Sequence, residues 1–509
     1  MTTPVTPKLA AGIVLLRQSS VTGWEFFWAR RSNKMPFMSG FHAFPGGRLD
    51  TSDAELTIEH APSPEQAALC ACAIREAFEE AAILISPDAH KLTVEERLTA
   101  RAALMQDQLT FAEFVNRHSL RLDARLLVPA GRWVTPPYAA RRFDTWFYTA
   151  EIPEGQEPEL WTDELEHGTW ATPLEAERRW ADLQVLLAPP TLHTIRGIGR
   201  WIETGAGETR DWGHLTRLLT NIPEANGKPI EWIETRPGIF VFPVRTPTLP
   251  PATHTNCYLI GDQELIVIDP ASPYADEQAR LDAHLAGLQE RTSARVREIW
   301  LTHHHPDHVS GVEHARTTWG VPVAAHPKTA ELLKGKVTVD RFLNDGDVLE
   351  LSGNPGWRLR AVFTPGHAPG HLCFLEENSR AIVTGDMVVG LGSVLIAPPD
   401  GNMQLYLDSL EKLSKLSLTM ILGGHGQAMG SPQKHIASYI KHRLDREAQI
   451  LEAMTTGAET IDDIVKIAYA TTPVEMHPYA ALSVKAHLEK LLNEQRITPI
   501  GEARWQVAG

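Results

Sequence analysis

Four histidines and an aspartate occur within six residues of the stretch LTHHHPDHVSG, from His303 to His308. His303 and His305 are two positions apart, so on an extended backbone their side chains project to the same side. Pro306 keeps His305 out of the helical region, so the extended run continues up to that residue. Imidazole and carboxylate groups are ligands for zinc, and also for manganese or iron. The spacing therefore predicts part of a metal site, with His304 pointing away from it.

Further candidate ligands occur where later strands end. Short apolar stretches such as LIVIDP, VREIWLTHHH and RAIVTGD alternate with helical stretches, which predicts a layered α/β domain. A rigid sheet positions the loops at its strand ends, so side chains from separate loops can converge there. A solvated histidine-rich loop is the alternative, but several strand ends with ligand-type residues favour the metal site. The residues supplied downstream are His367, His371, Asp386 and His425.

These motifs resemble those of the metallo-β-lactamase-fold hydrolases. The resemblance implies an αββα sandwich and two Zn²⁺ ions, or Mn or Fe in their place, which activate a water for attack on a carbonyl or phosphorus centre. It implies that His303, His305 and His367 hold the first ion, that Asp307, His308 and His425 hold the second, and that Asp386 bridges them. Asp307 is also a catalytic candidate, because it can orient the nucleophile. His371 matches a neighbouring position and is expected to contact substrate or support a ligand.

The C-terminal stretch is mainly helical in pattern and ends in RITPIGEARWQV, which predicts a hairpin with a turn near Gly501. HRLDREAQIL, IDDIVKIAY and ALSVKAHLEKLL resemble the winged-helix extension of the β-lactamase-like protein 2 group, some members of which are endoribonucleases. In the candidate recognition helix, Lys485 and Lys490 are offset by Glu489 and Glu494. Because duplex reading requires a basic surface, we expect a structural or active-site-covering role.

A second cluster of ionisable residues lies far upstream, in IREAFEEAA. Glu76, Glu79 and Glu80 share one helix face, and such like charges repel unless a cation binds there. Oxygen ligands favour Mg²⁺ or Mn²⁺. Ser63 as N-cap and Pro64 after it predict where this helix begins. A solvated acidic face is the alternative, but the upstream glycine turn FHAFPGG favours a metal site.

With Arg75, these glutamates resemble the core of a Nudix box. RRSNKMPFMSGFHAFPGG and WVTPPYAARRFDTWFYTA resemble the coenzyme A diphosphohydrolase-like branch of that family. The chain departs from the family pattern at Ala67, Ala77 and Ala82, and it carries an insertion around DTSDAELTIEHAP. The resemblance implies an α/β/α sandwich that binds Mg²⁺ or Mn²⁺ and hydrolyses a pyrophosphate linkage. The residues that it implies as metal ligands are Glu76, Glu79 and Glu80, the last two of them also catalytic.

The same resemblance implies supporting residues. Arg75 is expected to orient a carboxylate through a bidentate pair. Glu164 is a candidate further ligand or catalytic base, with Glu166 as its competitor. Arg142 is a candidate contact for substrate phosphate, and a solvated turn is the equal alternative.

Length and composition set the limits of these hypotheses. A chain of 509 residues is too long for one hydrophobic core. We predict an α/β and α+β multidomain protein, with a Nudix-like domain over residues 1–235, a metallo-β-lactamase-fold domain over 236–430 and a winged-helix-like extension over 431–509. No stretch approaches the roughly 20 apolar residues of a membrane helix, and the four cysteines are expected to be buried and reduced. These features predict a cytoplasmic protein without a membrane partner.

The combined hypothesis is a chain with two hydrolytic centres. One acts on an ester, thioester or phosphodiester, and the other on a pyrophosphate linkage, so the expected partner is a small molecule such as a coenzyme A derivative or a nucleotide. An RNA-processing nuclease is an alternative, although the net charge of −15 disfavours a broad nucleic-acid surface. A single hydrolase regulated by a nucleotide-sensing Nudix module is another. The sequence does not decide whether the chain forms a homo-oligomer.

Overall fold

The computed structural model of the chain describes residues 5–35, 38–136, 139, 141–160, 164–220 and 233–508. The chain divides into two compact units, one ending at Pro237 and the other beginning at Gly238. The finer domain boundaries at residues 235 and 430 stay predictions.

The first unit contains a mixed sheet and the helices that cover it. Its strands are β1 (Lys8–Ser19), β2 (Gly23–Arg31), β3 (Phe41–Ala43), β4 (Gly46–Arg48), β5 (Ile58–Glu59), β6 (Leu122–Asp123), β7 (Val128–Val134), β8 (Phe143–Glu151), β9 (Leu165–Ala171), β10 (Leu186–Leu187) and β11 (Ile233–Arg236). Its α-helices are α1 (Pro64–Ala81), α2 (Val94–Met105), α3 (Phe111–Arg117), α4 (Pro173–Ala181), α5 (Pro189–Glu203) and α6 (Trp212–Thr220). The main sheet has the order β10-β3-β2-β1-β8-β7, with β4 paired to β1 and β9 to β2.

Strand β1 is buried on both of its faces, which explains its continuous apolar run. Ile13 and Leu15 pack in the core that includes α1, whereas Val14 and Leu16 pack in the core that includes α5. Successive side chains of a strand point to opposite faces, so one strand supplies both cores. The predicted α/β/α sandwich is therefore confirmed, and in it β1 pairs antiparallel with β2.

Helix α1 begins and ends where local chemistry requires. The Ser63 side chain accepts a hydrogen bond from the Gln66 backbone N–H, and Pro64 occupies the first turn, as predicted. The helix ends at Ala82, which adopts a left-handed conformation with φ of 58°. This is the position at which the Nudix pattern has glycine, and the left-handed conformation costs a non-glycine residue about 1–2 kcal/mol. The alanine therefore keeps the turn but makes it less favourable.

The second unit contains two sheets and a helical C-terminal part. Its strands are β12 (Ile239–Arg245), β13 (His254–Gly261), β14 (Glu264–Ile268), β15 (Arg295–Trp300), β16 (Val323–Ala325), β17 (Arg341–Phe342), β18 (Val348–Leu351), β19 (Trp357–Phe363), β20 (Leu372–Glu376), β21 (Ala381–Gly385), β22 (Met420–Gly423), β23 (Ile497–Gly501) and β24 (Arg504–Val507). Its α-helices are α7 (Ala275–Thr292), α8 (Pro306–Val309), α9 (Val312–Trp319), α10 (Pro327–Leu332), α11 (Met403–Ser414), α12 (Pro432–Thr455), α13 (Ile461–Ala468) and α14 (His477–Asn493).

The two large sheets of this unit form the predicted αββα sandwich. Strands β12 to β17 lie side by side in chain order in one sheet, and strands β18 to β22 do so in the other. Trp300 at the end of β15 contacts Phe374 of β20, with ring centroids 4.9 Å apart. Helix α11 packs on the second sheet, where Tyr406 and Leu410 are fully buried. The layers therefore bring the ends of β14, β15, β19, β21 and β22 within reach of one another.

The C-terminal part has a small core of its own. Ile450, Ile464, Val484 and Ile497 are buried together, which joins the second half of α12 to α13, α14 and the final hairpin. Strands β23 and β24 pair antiparallel, which confirms the predicted hairpin near Gly501. This arrangement is the predicted winged helix.

Two further expectations concern the cysteines and membrane-spanning helices. All four cysteines are free and buried, as predicted. Among the described residues, no helix combines the length and the apolar character that crossing a bilayer requires.

Candidate functional site

The loop after β15 brings two histidine rings together with a third from the loop after β19. His303 Nε2 lies 3.0 Å from His305 Nδ1, and His367 Nε2 lies 2.9 Å from the same atom. His305 stays extended because Pro306 follows it, and α8 begins at that proline. These three rings can offer nitrogens that all lie within 4.8 Å of one another. They form the first half of a candidate metal centre.

Asp386, at the end of β21, faces this half and a second one. Its Oδ2 lies 3.7 Å from His367 Nε2, whereas its Oδ1 lies 3.4 Å from His308 Nε2 and 3.4 Å from His425 Nε2. Asp307 completes the second half, with its Oδ2 3.5 Å from His425 Nε2. Each carboxylate oxygen of Asp386 thus faces a different half, as its predicted bridging role requires. All seven predicted ligand residues converge.

Two of the candidate ligands are oriented by backbone carbonyls behind them. His367 Nδ1 lies 2.9 Å from the Leu395 carbonyl oxygen, and His425 Nδ1 lies 2.8 Å from that of His254. A carbonyl oxygen only accepts, so each Nδ1 carries the proton and donates it. Each ring therefore directs Nε2 into the centre, and in the neutral ring this nitrogen carries the lone pair that binds a metal.

Asp269, immediately after β14, orients two more rings. It accepts from His308 Nδ1 at 2.8 Å and from the Thr302 hydroxyl at 2.6 Å. Because the Thr302 proton is committed to Asp269, the Thr302 oxygen accepts from His303 Nδ1 at 2.9 Å. The inward Nε2 of His303 is therefore a free lone pair, and His308 also directs its Nε2 into the centre. The signal for Asp269 is present in the sequence, since LIVIDP ends a buried strand with an aspartate.

Burial tests whether these residues fit a cation. His308 Nε2 and Asp386 Oδ1 are buried, and neither has a hydrogen-bond partner among the described residues. A buried polar atom without a partner costs about 1–3 kcal/mol, and bare nitrogens about 3 Å apart repel. Burial lowers the pKa of His303 well below its ordinary range, which keeps the ring neutral. Imidazole nitrogens directed at a buried carboxylate are a ligand set that fits a divalent cation.

The charge of Asp386 is stabilised by its neighbours. Burial raises the pKa of its carboxyl group, but His425 and His308 more than offset this and hold the pKa well below its usual range. Conversely, burial lowers the pKa of His308, whereas Asp386 and Asp269 raise it well above the ordinary value. The centre therefore requires a positive charge next to Asp386, which a metal ion supplies when bound.

His371 and His304 lie outside this ligand set. His371 is fully buried, its Nδ1 is 3.0 Å from the Thr364 hydroxyl, and its Nε2 accepts from the Asp386 backbone N–H at 3.3 Å. This geometry supports a role in positioning Asp386 and not the predicted contact with substrate, because no surface of the ring is accessible. His304 points away, as predicted, with Nε2 3.1 Å from Asp400 Oδ2.

Two polar residues near the centre carry no obvious sequence signal. Asp400 Oδ2, besides its contact with His304, lies 3.6 Å from His305 Nε2 and so lies behind a candidate ligand. The Thr248 hydroxyl lies 3.5 Å from His425 Nε2 and is partly exposed. Both come from loops between regular elements, where spacing alone does not indicate direction.

The second candidate site surrounds Arg75 of α1. Its Nε and Nη2 donate to Asp53 at 2.8 and 3.0 Å, which is the predicted bidentate pair with a carboxylate. Its Nη1 donates to Glu76 at 2.8 Å and to Glu79 at 2.9 Å. Burial would lower the pKa of Arg75, but the bonds to Asp53 raise it. Asp53 is fully buried and lies in the insertion, so the residue pattern of α1 gives no indication of it.

The glycine turn packs directly against the carboxylates of α1. The Gly46 backbone N–H donates to Glu80 Oε2 at 2.8 Å, and a Cβ on Gly47 would collide with the Glu76 carboxylate. At the end of the helix, Arg101 donates to the backbone carbonyls of Glu79 and Glu80 at 2.8 and 3.1 Å. The turn therefore requires glycine for close approach, and Arg101 satisfies carbonyls that the helix leaves open.

The carboxylates of the three predicted glutamate ligands lie near one another, but they do not surround a common metal position. Within the described part of the chain, no metal-type group with all ligand atoms within 4.8 Å includes Glu76, Glu79 or Glu80. Arg75 lies between the first two and neutralises them. Burial raises the pKa of Glu76 to about 7, and burial together with Glu76 raises that of Glu80 well above its usual range. The chemistry of these donors fits a hard cation, but the rotamers would have to change to bind it.

The remaining candidates differ in position. Glu164 is exposed and close enough to Glu80 for its charge to raise the pKa of that carboxyl group. Glu166 accepts from the Asn33 backbone N–H at 3.3 Å. The Arg142 guanidinium donates to the backbone carbonyls of Thr135 and Val5 at 2.9 and 2.8 Å. Arg142 is thus used to hold chain segments together, and this geometry does not support its predicted contact with phosphate.

Comparison with protein families identifies three regions. The model of the metallo-beta-lactamase superfamily matches residues 250–425, the NUDT19 Nudix domain matches residues 54–198, and the beta-lactamase associated winged helix domain matches residues 460–505. These matches agree with the three domain types predicted from the sequence.

Individual relatives agree with these regions. The beta-lactamase-like protein 2 homolog of Drosophila melanogaster is 31% identical over 257 residues, covering 48% of this chain and 84% of the relative. An atrochrysone carboxyl ACP thioesterase of Aspergillus fumigatus is 27% identical over 263 residues, covering 48% of this chain and 77% of the relative. The solved structure of a beta-lactamase domain protein from Burkholderia ambifaria has a TM-score of 0.49 and 20% identity, covering 56% of this chain and 96% of that one. Because the Drosophila melanogaster relative is 31% identical and is covered over 84% of its length, this chain belongs to the beta-lactamase-like protein 2 family of metallo-beta-lactamase-fold hydrolases, with a Nudix domain preceding that fold and a winged helix following it.

Proposed function

We propose that the chain hydrolyses a thioester at a dinuclear metal centre of the zinc type and a pyrophosphate linkage at its Nudix site. The observation that carries the first part is the convergence of seven candidate ligands, four of them histidines whose outward nitrogens are fixed by hydrogen bonds. The ligand set is His303, His305, Asp307, His308, His367, Asp386 and His425. Zn²⁺ fits this set, and Mn or Fe are the other candidates.

Each residue of the centre has a defined task in this proposal. A pair of divalent cations, when bound, supplies Lewis-acid activation of a carbonyl and acidification of water. Asp386 faces both halves and holds them together, while Asp307, whose side chain is 17% exposed, is accessible enough to orient the attacking water. Thr248 is a candidate donor to the substrate oxygen, since its hydroxyl lies beside His425.

The thioester is favoured among the substrate classes by one relative. The Aspergillus fumigatus protein named as a carboxyl ACP thioesterase shares this half of the chain. A coenzyme A thioester carries both a thioester and a pyrophosphate, and the Nudix match is to the NUDT19 domain. In this proposal Glu76, Glu79 and Glu80 hold Mg²⁺ or Mn²⁺ and Glu164 serves as a further base. An acyl-coenzyme A ester is therefore a substrate that either site can use.

The test is a product assay with purified full-length protein and an acyl-coenzyme A ester. Mass spectrometry is expected to detect free coenzyme A thiol and 3′-phosphoadenosine 5′-phosphate. Asp386→Asn is expected to lower thiol release more than about 100-fold, because even the loss of a ligand's outer partner costs about 10- to 100-fold. Glu79→Gln is expected to abolish only the nucleotide product. Release of neither product by the wild-type protein would refute the substrate assignment.

The alternatives give different results in the same assay. Cleavage of RNA, lost in Asp307→Ala, would indicate a nuclease instead. Against this, Lys490 and Arg496 of the winged helix are both paired with Glu447, which offsets their positive charge. A nucleotide-sensing Nudix module is favoured by the bonds of Arg75 to Glu76 and Glu79. In that case added nucleotide would change thiol release, and no diphosphatase product would form.

A further inference from the structure

Helix α12 is shared between the metallo-β-lactamase fold and the winged helix. Near its beginning, Ile436 is buried in the core that contains α11 and the second sheet. Near its end, Ile450 and Ala453 are buried in the core of the winged helix. One continuous helix therefore couples the two parts, because an α-helix transmits position along its axis with little bending.

Arg443 lies between these two apolar segments of α12 and is only 3% exposed. Its Nη2 donates to the Val394 carbonyl oxygen and lies 3.4 Å from the Ser393 hydroxyl, while its guanidinium lies 5.3 Å from the centroid of the Tyr406 ring. A buried guanidinium is costly to desolvate, so it stays there only if these contacts hold it. The contacts fix the path of residues 393–394.

The next residue along this segment faces the metal centre. The Leu395 carbonyl oxygen accepts from His367 Nδ1 and thereby fixes which nitrogen of that ring faces inward. A shift of Val394 would move this carbonyl, since consecutive peptide planes are rigid. Arg443 is therefore connected to the first half of the centre by its hydrogen bond to Val394 and by the hydrogen bond between the next residue, Leu395, and His367.

Helix α12 makes a second contact near the other half of the metal centre, which contains His425. The Tyr439 hydroxyl bonds both backbone groups of Val389, at 3.1 Å to the N–H and 2.9 Å to the carbonyl. The following Gly390 N–H donates to the backbone carbonyl of His425 at 2.7 Å. Tyr439 thus supports the loop of a second-half ligand, whereas Arg443 supports a first-half ligand.

The winged helix also binds α12 one turn beyond Arg443. Glu447, one turn after Arg443, accepts from Lys490 Nζ at 2.8 Å and from Arg496 Nη1 at 2.6 Å. His487 is fully buried and lies 3.6 Å from Glu447 Oε2. Lys490 of α14 and Arg496, three residues beyond the end of α14, therefore fix the rotation of α12 close to Arg443.

We propose that Arg443 is a positioning residue for the metal centre, holding residues 393–395 so that Leu395 orients His367. The winged helix, through α12, is then a structural part of the hydrolytic site and not a module that reads nucleic acid. This inference rests on the proposed function in one respect, the assignment of His367 as a ligand of the first half.

The test measures metal binding by full-length variants. Arg443→Met removes the donors but keeps a long side chain, and it is expected to weaken the binding of one of two metal ions about 10- to 100-fold in competition with a chelator. The absorption of the cobalt-substituted protein is expected to change for the same ion only. Arg443→Lys, which keeps one donor to Val394, is expected to restore part of the affinity.

The matched control is Arg446→Met on the same helix. Arg446 lies 3.8 Å from the Tyr469 ring and donates to the Ala468 carbonyl, on the winged-helix side, so its loss should leave both metal ions bound. Wild-type metal affinity in Arg443→Met, or equal weakening in both variants, overturns the inference. If Arg443→Met does not fold, an unchanged cobalt spectrum and affinity in Arg443→Lys overturns it instead.

A separate variant distinguishes the two proposals. His367→Ala is expected to lose the same metal ion that Arg443→Met binds weakly. Two tightly bound ions in His367→Ala would instead refute the ligand assignment, and with it the proposed function.

Discussion

The histidine-rich centre and the glutamate-rich face of α1 both concentrate buried ionisable groups, but they are neutralised in different ways. In the first, each ring of His303, His308, His367 and His425 uses one nitrogen to bond a group behind it and points the other inward. In the second, Arg75 itself occupies the space between Glu76 and Glu79. The nitrogens of the histidine centre are thus oriented to bind a cation, whereas the glutamate site already contains the guanidinium cation of Arg75.

The cause of this difference is the chemistry of the side chains. Imidazole has two nitrogens on opposite sides of a ring, so one can be fixed by a protein partner while the other stays free for metal. The oxygens of a carboxylate carry one shared charge and repel neighbouring carboxylates, so a cluster of them needs either a countercharge or bound protons. Metal binding at α1 therefore requires Arg75 to yield one of its contacts, whereas metal binding at the histidine centre requires only the release of protons from rings such as His308, whose pKa is raised.

The largest effect should follow from removing the negative charge that holds Arg75. Asp53→Asn leaves the buried guanidinium with a weaker partner, and breaking a buried pair costs about 3–5 kcal/mol. For a unit of this size each kcal/mol lowers Tm by roughly 2–4 °C, so calorimetry should show a decrease on the order of 10 °C. Glu55→Gln, exposed in the same short 3₁₀ helix, Thr51–Glu55, is the control and should be neutral. A Tm for Asp53→Asn within 2 °C of wild type would show that the Arg75 network does not depend on the insertion.

A smaller effect is expected at the other site, from Asp269→Asn. The loss of charge behind His308 and Thr302 should weaken metal binding about 10- to 100-fold in a chelator competition, because outer partners fix ring orientation and basicity. Asp282→Asn is the matched control, since Asp282 pairs with His314 and Trp319 away from the centre. Unchanged metal affinity in Asp269→Asn would contradict the idea that this centre is oriented in advance.

The smallest expected effect is on the pH dependence of stability, and it arises at Glu76. Burial raises the pKa of Glu76 to about 7 from an unfolded value near 4.5. The folded form therefore holds a proton that the unfolded form has lost, so this contribution to stability is full below about pH 4.5 and is lost as pH rises through about 7. Metal-free protein should melt at a lower temperature at pH 8 than at pH 6, and Mg²⁺ should reduce the difference.

This pH effect has its own control in Glu76→Gln, which cannot ionise. Its melting temperature in the absence of metal should vary less between pH 6 and pH 8 than that of the wild type, measured by calorimetry. Equal pH dependence in both proteins would mean that Glu76 is not the group responsible.

Much of the architecture follows from local patterns in the sequence. The start of α1 at Ser63 and Pro64, the β1–β2 pair and the final hairpin are set by short-range rules of capping, alternation and turn formation. These rules do not depend on distant parts of the chain. The candidate ligands are recognisable for a similar reason, since each is a ligand-type residue at the end of an apolar strand.

Other features depend on residues that are remote along the chain. Asp53 is 22 residues from Arg75, and Asp269 is 39 residues from His308. His371 and Arg142 have suitable chemistry for substrate contact, but packing buries the first and backbone carbonyls engage the second. Direction and burial of a side chain are set by tertiary packing, which spacing along the chain does not encode.

The sequence by itself determined the three domain types and the kinds of ligand that each candidate site contains, because strand ends, helix faces and turn residues follow local stereochemistry. Only the tertiary structure decided how those ligands are oriented. Asp269 and the carbonyl oxygens of His254 and Leu395 fix the inward nitrogens, Asp53 holds Arg75, and Arg443 joins the winged helix to the loop behind His367. The physical reason is that a hydrogen bond depends on distance and direction in space, which the fold alone establishes between distant residues.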